Sequence, residues 1–370
     1  MNASKDEGLV CPSDLPLAGL RVLDFTWLLP GPFATLLLAD LGADVIKVER
    51  PGSGDYLRNI LPAMFEHINR GKRSITIDLK DSDAHSDLLK LVSSSDVVLE
   101  GFRPGVADRI GIGYDALSAV RSDLIYVSIS GYGQTGPYKA LPGHDINYLA
   151  MSGALFVPAS WNEKPHRSGL PVADLTAALY ATVNISAAVR KRDKTGKGSR
   201  IDLSIAEAAL HWSEVRMAGV DSDKPTWHHI HPANDVFETK DGRELSIALV
   251  EEKFFLSFCA AIDRHDLHNR FESVEQITKD HSAAAALHAE LVHIFKQHSL
   301  EEWVKTLGQS DVPFAPVSNP NEVRQNQHLN ARGLFDNTFM SIPGGLGTRK
   351  DMSAAPEIGE HTHEILSELK

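Results

Sequence analysis

Three side chains are placed to do proton or acyl chemistry together. His144 and Asp145 stand side by side between the turn Pro142-Gly143 and a small-residue apolar segment that ends at Gly153. Asp174 follows, set between Ala173 and Leu175. An imidazole exchanges protons near neutral pH. A carboxylate among apolar neighbours loses hydration on burial, so its pKa rises toward that of a base or nucleophile. Each residue also has a plainer reading. His144 is then a turn histidine and Asp174 the N-cap of the Ala-rich helix after it. Asp145 either orients His144 or caps a helix starting near Asn147.

The elements that must position these groups alternate. Residues 19–25, 44–49, 74–79, 96–100, 124–130 and 199–203 are apolar and β-branched enough to be strands. Residues 33–41, 83–93, 114–120, 175–190 and 205–212 read as helices between or after them, with Leu28 to Pro32 as a turn. Strand, helix, glycine, strand is a βαβ unit, and its repetition predicts a Rossmann-like α/β sheet with ligands at the strand ends. The first βα turn lacks G-x-G-x-x-G, which disfavours NAD or FAD, and Thr195-Gly196-Lys197-Gly198-Ser199 lacks the P-loop spacing. Gly133, in Gly131-Tyr132-Gly133-Gln134, is either a turn glycine or a point where backbone comes close to a ligand.

Beyond the helix at 205–212 the composition turns linker-like from 213 to 232. The histidines of Trp227-His228-His229-Ile230-His231 fit loop positions better than a metal site, since no acid or cysteine accompanies them at ligand spacing. A hairpin with an Asp241-Gly242 turn follows. After it come a helix from Glu251, helical patterning over 264–307, an extended stretch at 312–317, a Gly-rich loop at 343–347 and a final helix at 360–369.

Composition limits the function. The net charge is −12, from 37 Lys and Arg against 49 Asp and Glu, so bulk nucleic-acid binding is disfavoured. Two distant cysteines, Cys11 and Cys259, exclude a disulfide scaffold or a cysteine zinc site and suit a reducing, cytoplasmic setting. Residues 1–18 read as a loose leader without a signal peptide, and no apolar run approaches a membrane span. Against the acidic background Arg50, Arg58, Arg70, Lys72, Arg73 and Arg103 concentrate early, several at strand ends. They are read as the grip for a phosphate-bearing ligand, the alternative being solvated surface cations.

Several stretches together resemble the class III CoA-transferase and α-methylacyl-CoA racemase superfamily (CaiB/BaiF type). They include Pro30-Gly31-Pro32, Asp44-Val45-Ile46-Lys47-Val48-Glu49-Arg50-Pro51-Gly52, Asn69-Arg70-Gly71-Lys72-Arg73, Gly101-Phe102-Arg103-Pro104-Gly105 and Gly143-His144-Asp145-Ile146-Asn147-Tyr148. The resemblance implies a large Rossmann-like domain built from both chain ends with a smaller α+β domain between. On this chain that means 1–212, a linker at 213–232, a small domain at 233–310, and a linker and return at 311–370. It also implies an interlocked homodimer and a coenzyme A thioester as substrate, with no tightly bound cofactor or metal. Arg50, Arg70, Lys72, Arg73, Arg103 and Gly133 are then contacts to the CoA.

Two chemistries follow from the resemblance. In a racemase, His144 and Asp174 would flank the α-carbon of a 2-methylacyl-CoA, remove and return its proton through an enolate-like thioester, and be supported by Glu251 and Asp145. In a transferase only Asp174 is needed, passing CoA between acids through an anhydride and an aspartyl-CoA thioester. The segment before Asp174 lacks the racemase glycine run, but His144 favours the racemase, which is the reading preferred on sequence. The transferase is the alternative, and a non-catalytic CoA-binding protein the third.

Overall fold

The computed structural model describes residues 14–79, 81–157, 161, 167–218, 231–271, 273, 276–277, 281–333, 335–336, 339–340, 342–344 and 352–369. The first 13 residues of the expected leader, the run Trp227 to Ile230 and residues 345–347 of the Gly-rich loop lie outside them.

In chain order the first part contains β1 (Arg21–Phe25), α1 (Pro30–Asp40), β2 (Asp44–Glu49), α2 (Leu57–Ile60), α3 (Pro62–Asn69), β3 (Arg73–Thr76), α4 (Ser82–Ser93) and β4 (Val97–Glu100). It continues with α5 (Val106–Arg109), α6 (Tyr114–Val120), β5 (Ile125–Ser130), α7 (Asp145–Met151), α8 (Val172–Thr195), β6 (Ser199–Ser204) and α9 (Ile205–Met217). The six strands form one parallel sheet in the order β3-β2-β1-β4-β5-β6. β4 and β5 are buried along their whole length, as strands covered on both faces must be. This is the doubly wound Rossmann order. Its connections diverge between β1 and β4 and open a crevice at the carboxyl ends of those strands.

α1 starts three residues earlier than its apolar run, because prolines fit the first helical turn and Pro30 opens it. α8 is likewise longer than expected, from Val172 after Pro171 to a left-handed Gly196. By length and composition α8 could cross a membrane, which corrects the expectation that no segment approaches that limit. It is a core helix here, packed on α1, β5 and β6 through small residues such as Ala173, Ala177, Ala178 and Ala181. α9 runs on to Met217, into the stretch read as linker.

The chain divides into two compact units. One comprises Met1–Ala154, Ser168–Val215 and Gly333–Lys370. Its C-terminal part borders the edge strand β3, where the His361 N–H donates to the Ser74 carbonyl (2.9 Å) and the Gly71 N–H to the Ser353 carbonyl (2.9 Å). That covers an otherwise open edge. The other comprises Leu155–Arg167 and Arg216–Arg332. It holds an antiparallel sheet of β7 (Asn234–Glu238), β8 (Glu244–Ala248) and β9 (Phe314–Pro316). Its core includes Phe237, Leu245, Phe255, Phe258, Phe295 and Trp303. Residue 161 groups with this unit for a physical reason. The Trp161 ring stacks on His281 (4.8 Å between centroids) and His288 (5.6 Å), and the Trp161 backbone N–H donates to Asp235 Oδ2 (3.1 Å).

Candidate active site

A cavity of about 600 Å³ lies where β1, β4 and β5 end. Thr26, Trp27 and Leu28 line it from β1, Gly101 to Pro104 from β4, and Ser130 and Gly131 from β5. His144, Tyr148 and Asp174 close it from α7 and α8. The cavity thus lies where the strand-end rule expects a ligand, and tertiary folding brings His144 and Asp174 into its lining.

The turn from β1 into α1 is held under strain. Leu28 has φ of 65°, a left-handed conformation that costs a non-glycine residue about 1–3 kcal/mol. Its N–H donates to Asp55 Oδ1 (3.1 Å), and Asp55 Oδ2 pairs with Lys47 Nζ at 2.9 Å, both side chains fully buried. Lys47 also donates to the Thr26 carbonyl (2.9 Å). Trp27 packs edge-on against Tyr56 (4.9 Å) and Phe102 (6.0 Å), giving the cavity an aromatic wall.

Asp174 sits in the first turn of α8. Burial first, and then the negative charge of Asp145, push its carboxyl up to about 7. Near neutral pH such a group is divided between acid and carboxylate, and the carboxylate is the form that can act as nucleophile or base. Asp145 takes neither role expected for it. Its Oδ1 accepts from the backbone N–H groups of Ala173 (2.8 Å) and Asp174 (3.3 Å), so it caps α8, the helix that carries Asp174. Pro171 offers no side-chain acceptor at that end, and Asp145 supplies one from another element. Asp145 Oδ2 is buried and accepts no hydrogen bond. His144 is exposed and stands at the N-cap position of α7, where its backbone N–H donates to Asn147 Oδ1 (3.0 Å).

Tyr148 was not singled out by sequence. Its ring lies against Gly131 and Gly143. A Cβ at Gly131 would stand 2.5 Å from the Tyr148 hydroxyl oxygen, and one at Gly143 would stand 2.7 Å from the ring. Both glycines are therefore required by close approach. Burial and the nearby Asp174 charge push the Tyr148 phenol up to about 12, so it stays a hydrogen-bond donor at the cavity wall. Ser130 Oγ, also at the cavity, is buried without a partner. Neither residue has a spacing signal. Only the position of β5's end and the apolar face of α7 pointed toward them.

The early cations separate into two kinds. Arg70 pairs with Asp40 (3.1 Å) and donates to the His67 and Met340 carbonyls. Arg73 pairs with Asp44, Glu364 and Glu368 at 2.6–3.0 Å. Arg58 forks onto Glu49 (2.9 and 2.7 Å). Lys72, 1% exposed, donates to Asn69 Oδ1 and Thr35 Oγ1 (2.8 Å each) and the Pro32 carbonyl (2.9 Å), and pairs with Asp24 (3.3 Å). Burial raises the Asp24 carboxyl, but Lys72, Lys47 and the Thr26 and Thr35 hydroxyls outweigh it and bring it to about 2. Arg70, Lys72 and Arg73 thus have protein partners for their charges, and none of the three lines the cavity. Arg50 stands exposed beyond β2 and is not part of the cavity lining, whereas Arg103 lines it. Gly133 turns the loop with φ of 83°, and the following Gln134 N–H donates to Asp202, but of these two neighbouring glycines it is Gly131 that lines the cavity. Glu251 belongs to the other unit, at the N-cap of α10 (Glu252–Ala261). Among the described residues, no three His, Cys, Asp or Glu side chains cluster as a metal site requires.

Lys72→Met is expected to destabilise the fold by about 3–5 kcal/mol, because it strands the Asp24 carboxylate in the interior. Urea unfolding measures this. A surface phosphate contact would instead raise KM for an acyl-CoA and leave stability alone.

Comparison with known proteins agrees with this layout. The model of CoA-transferase family III matches residues 17–362. The chain is 32% identical to the human succinyl-CoA:glutarate CoA-transferase, over 96% of this chain and 86% of that protein. It is 33% identical to the acetyl-CoA:oxalate CoA-transferase of Acetobacter aceti, over 96% of each. The crystal structure of a CaiB/BaiF family protein from Brucella suis superposes with a TM-score of 0.82 at 30% identity, covering 96% of this chain and all of that one. With its parallel sheet, its strand-end cavity and a family match running nearly end to end, the chain belongs to CoA-transferase family III.

Proposed function

We propose that the protein transfers coenzyme A from an acyl-CoA to a second carboxylic acid, with Asp174 as the nucleophile. The racemase preferred on sequence gives way to its alternative, since the relatives reported above carry CoA-transferase names. The observation that carries the reading is Asp174 itself, a half-buried carboxyl at the head of α8, lining the cavity, with its pKa raised and its backbone held by Asp145. The two-base alternative needs an oriented imidazole. Here the acid beside His144 is engaged with the α8 amides.

The steps balance as follows. The Asp174 carboxylate attacks the acyl carbonyl of the donor, forming an Asp174–acyl anhydride as the C–S bond breaks and CoA thiolate leaves. The thiolate attacks the Asp174 carbonyl, giving aspartyl-CoA thioester and releasing the donor acid. The acceptor carboxylate then attacks that thioester and expels the thiolate. The thiolate takes the new acyl group and returns Asp174 as carboxylate. The Tyr148 and Ser130 hydroxyls at the cavity are the donors available to oxyanions formed on the way. The homodimer implied by the family resemblance belongs to this proposal. Exposed apolar side chains on α8 and α9, Val183 and Val215 among them, support it.

Two measurements test the reading. Acyl-CoA added alone should leave an Asp174 adduct that hydroxylamine traps. A 2-methylacyl-CoA in deuterated water should show no α-proton exchange in the absence of an acceptor acid. His144→Gln should retain adduct formation within about tenfold. Exchange that disappears in both His144→Gln and Asp174→Asn would return the protein to the racemase reading.

A further inference from the structure

Among the described residues two cations line the cavity, Arg103 and Lys139, and neither forms an ion pair there. Elsewhere in the same unit Arg58, Arg70, Lys72 and Arg73 are each tied to acids. Unpaired cations at the wall of a cavity whose described lining holds a single carboxylate, Asp174, are capacity for an anionic ligand.

The two come from different sides. Arg103 leaves β4 with the aromatic wall of Trp27 and Phe102. Lys139 lies on the loop between β5 and α7, the segment that runs through Leu141, Pro142 and Gly143 into His144. That loop is held in place. The Gln134 N–H donates to Asp202 (3.1 Å) and the Leu141 N–H to the Tyr138 carbonyl (2.9 Å). Tyr138 packs edge-on against Tyr132 (5.8 Å), and Tyr132 against Tyr148 (5.2 Å). The base of Lys139 is thereby tied to α7, the helix whose Asp145 caps the helix of Asp174. Its four-carbon stem lets a compact charge adjust its reach.

We propose that Lys139 receives the distal carboxylate of a dicarboxylic acid while the near carboxylate reacts at Asp174, so that the enzyme moves CoA between dicarboxylic acids in preference to monocarboxylic ones. This rests on the transferase reading. A second carboxylate brought into the cavity with no cation to meet it loses hydration without compensation. A monocarboxylic acid of the same length has no use for Lys139. Arg103, at the strand end, is left for the phosphate-bearing part of the CoA.

The test compares succinate with butyrate, and glutarate with valerate, as acceptors for CoA from acetyl-CoA, using the full chain. The parent enzyme should prefer each dicarboxylic acid by about 10- to 100-fold in kcat/KM. Lys139→Met should raise KM for succinate and glutarate by a similar factor and leave butyrate, valerate and the KM for acetyl-CoA unchanged. Lys139→Arg should restore most of the preference. A parent enzyme that favours butyrate overturns the proposal. So does a Lys139→Met variant that weakens both acid classes equally or raises KM for acetyl-CoA. Trapping the Asp174 adduct from acetyl-CoA in both proteins separates the two levels. Adduct without dicarboxylate preference removes the role of Lys139 alone, whereas no adduct in the parent removes the transferase reading and this proposal together.

Discussion

Asp174→Asn is expected to abolish CoA transfer and, at the same time, to make the folded protein more stable at alkaline pH. The loss of activity follows from removing the nucleophile, which in covalent catalysis costs about 10⁴-fold or more. The gain in stability follows from linkage. The Asp174 carboxyl moves from 3.8 in its ordinary state to about 7 in the fold, through burial and the Asp145 charge. A group whose pKa is raised by folding gives its full support below the unfolded pKa and loses it as pH rises to the folded one. The wild-type penalty is therefore absent below about pH 3.8, grows toward pH 7 and is constant above. The upper bound on that penalty is about 4 kcal/mol, and exposure to the cavity reduces it to about 2 kcal/mol. The neutral amide carries no such penalty. Urea unfolding at pH 4 and pH 8 should show the Asn variant gaining about 2 kcal/mol over wild type at the higher pH and little at the lower. Equal stability at both values would contradict the raised pKa. Intact transfer would remove Asp174 from the chemistry.

The second large effect is at Asp145, and two substitutions separate its two jobs. Asp145→Ala removes the acceptor for the Ala173 and Asp174 amides, leaving the first turn of α8 with buried, unpaired N–H groups. That should cost about 1–3 kcal/mol of stability and loosen the nucleophile, with a large fall in kcat. Asp145→Asn keeps an oxygen for those amides and puts nitrogen where Oδ2 accepts nothing. Its stability cost should stay below about 1 kcal/mol. Removing the charge also removes one of the two causes that raise Asp174. The acid limb of kcat/KM reports ionisation of the nucleophile in the free enzyme, so it should move to lower pH in Asp145→Asn. An unmoved limb would mean that the Asp145 charge does not reach Asp174. A purely structural cap would change stability without moving the pH profile.

Much of the scaffold was legible because its determinants are local. β5 is a run of Ile, Tyr, Val and Ser that is buried throughout, and α6 spans Tyr114–Val120 as its pattern required. Pro30 and Pro171 displaced helix starts by only a few residues, since both prolines fit the entry to a helix. Strand ends pointed to Arg103 but said nothing of Leu28, whose left-handed backbone is held by a buried Asp55–Lys47 pair from two other segments.

The α/β class and the family resemblance were legible in the chain, because motifs and periodicity are carried by neighbouring positions, and the resemblance in turn implied Asp174 as the residue both chemistries need. The partners of the charges emerge in the folded chain. Arg73 meets Glu364, 291 positions along the chain, and becomes scaffold, while among the described residues Lys139 meets no acid and lines the cavity. Asp145 turns from its neighbour His144 to the amides of Ala173 and Asp174. The physical reason is the same throughout. A charge takes its role from the partner that folding brings within about 3 Å, and for Arg70, Arg73 and Asp145 that partner lies far along the chain.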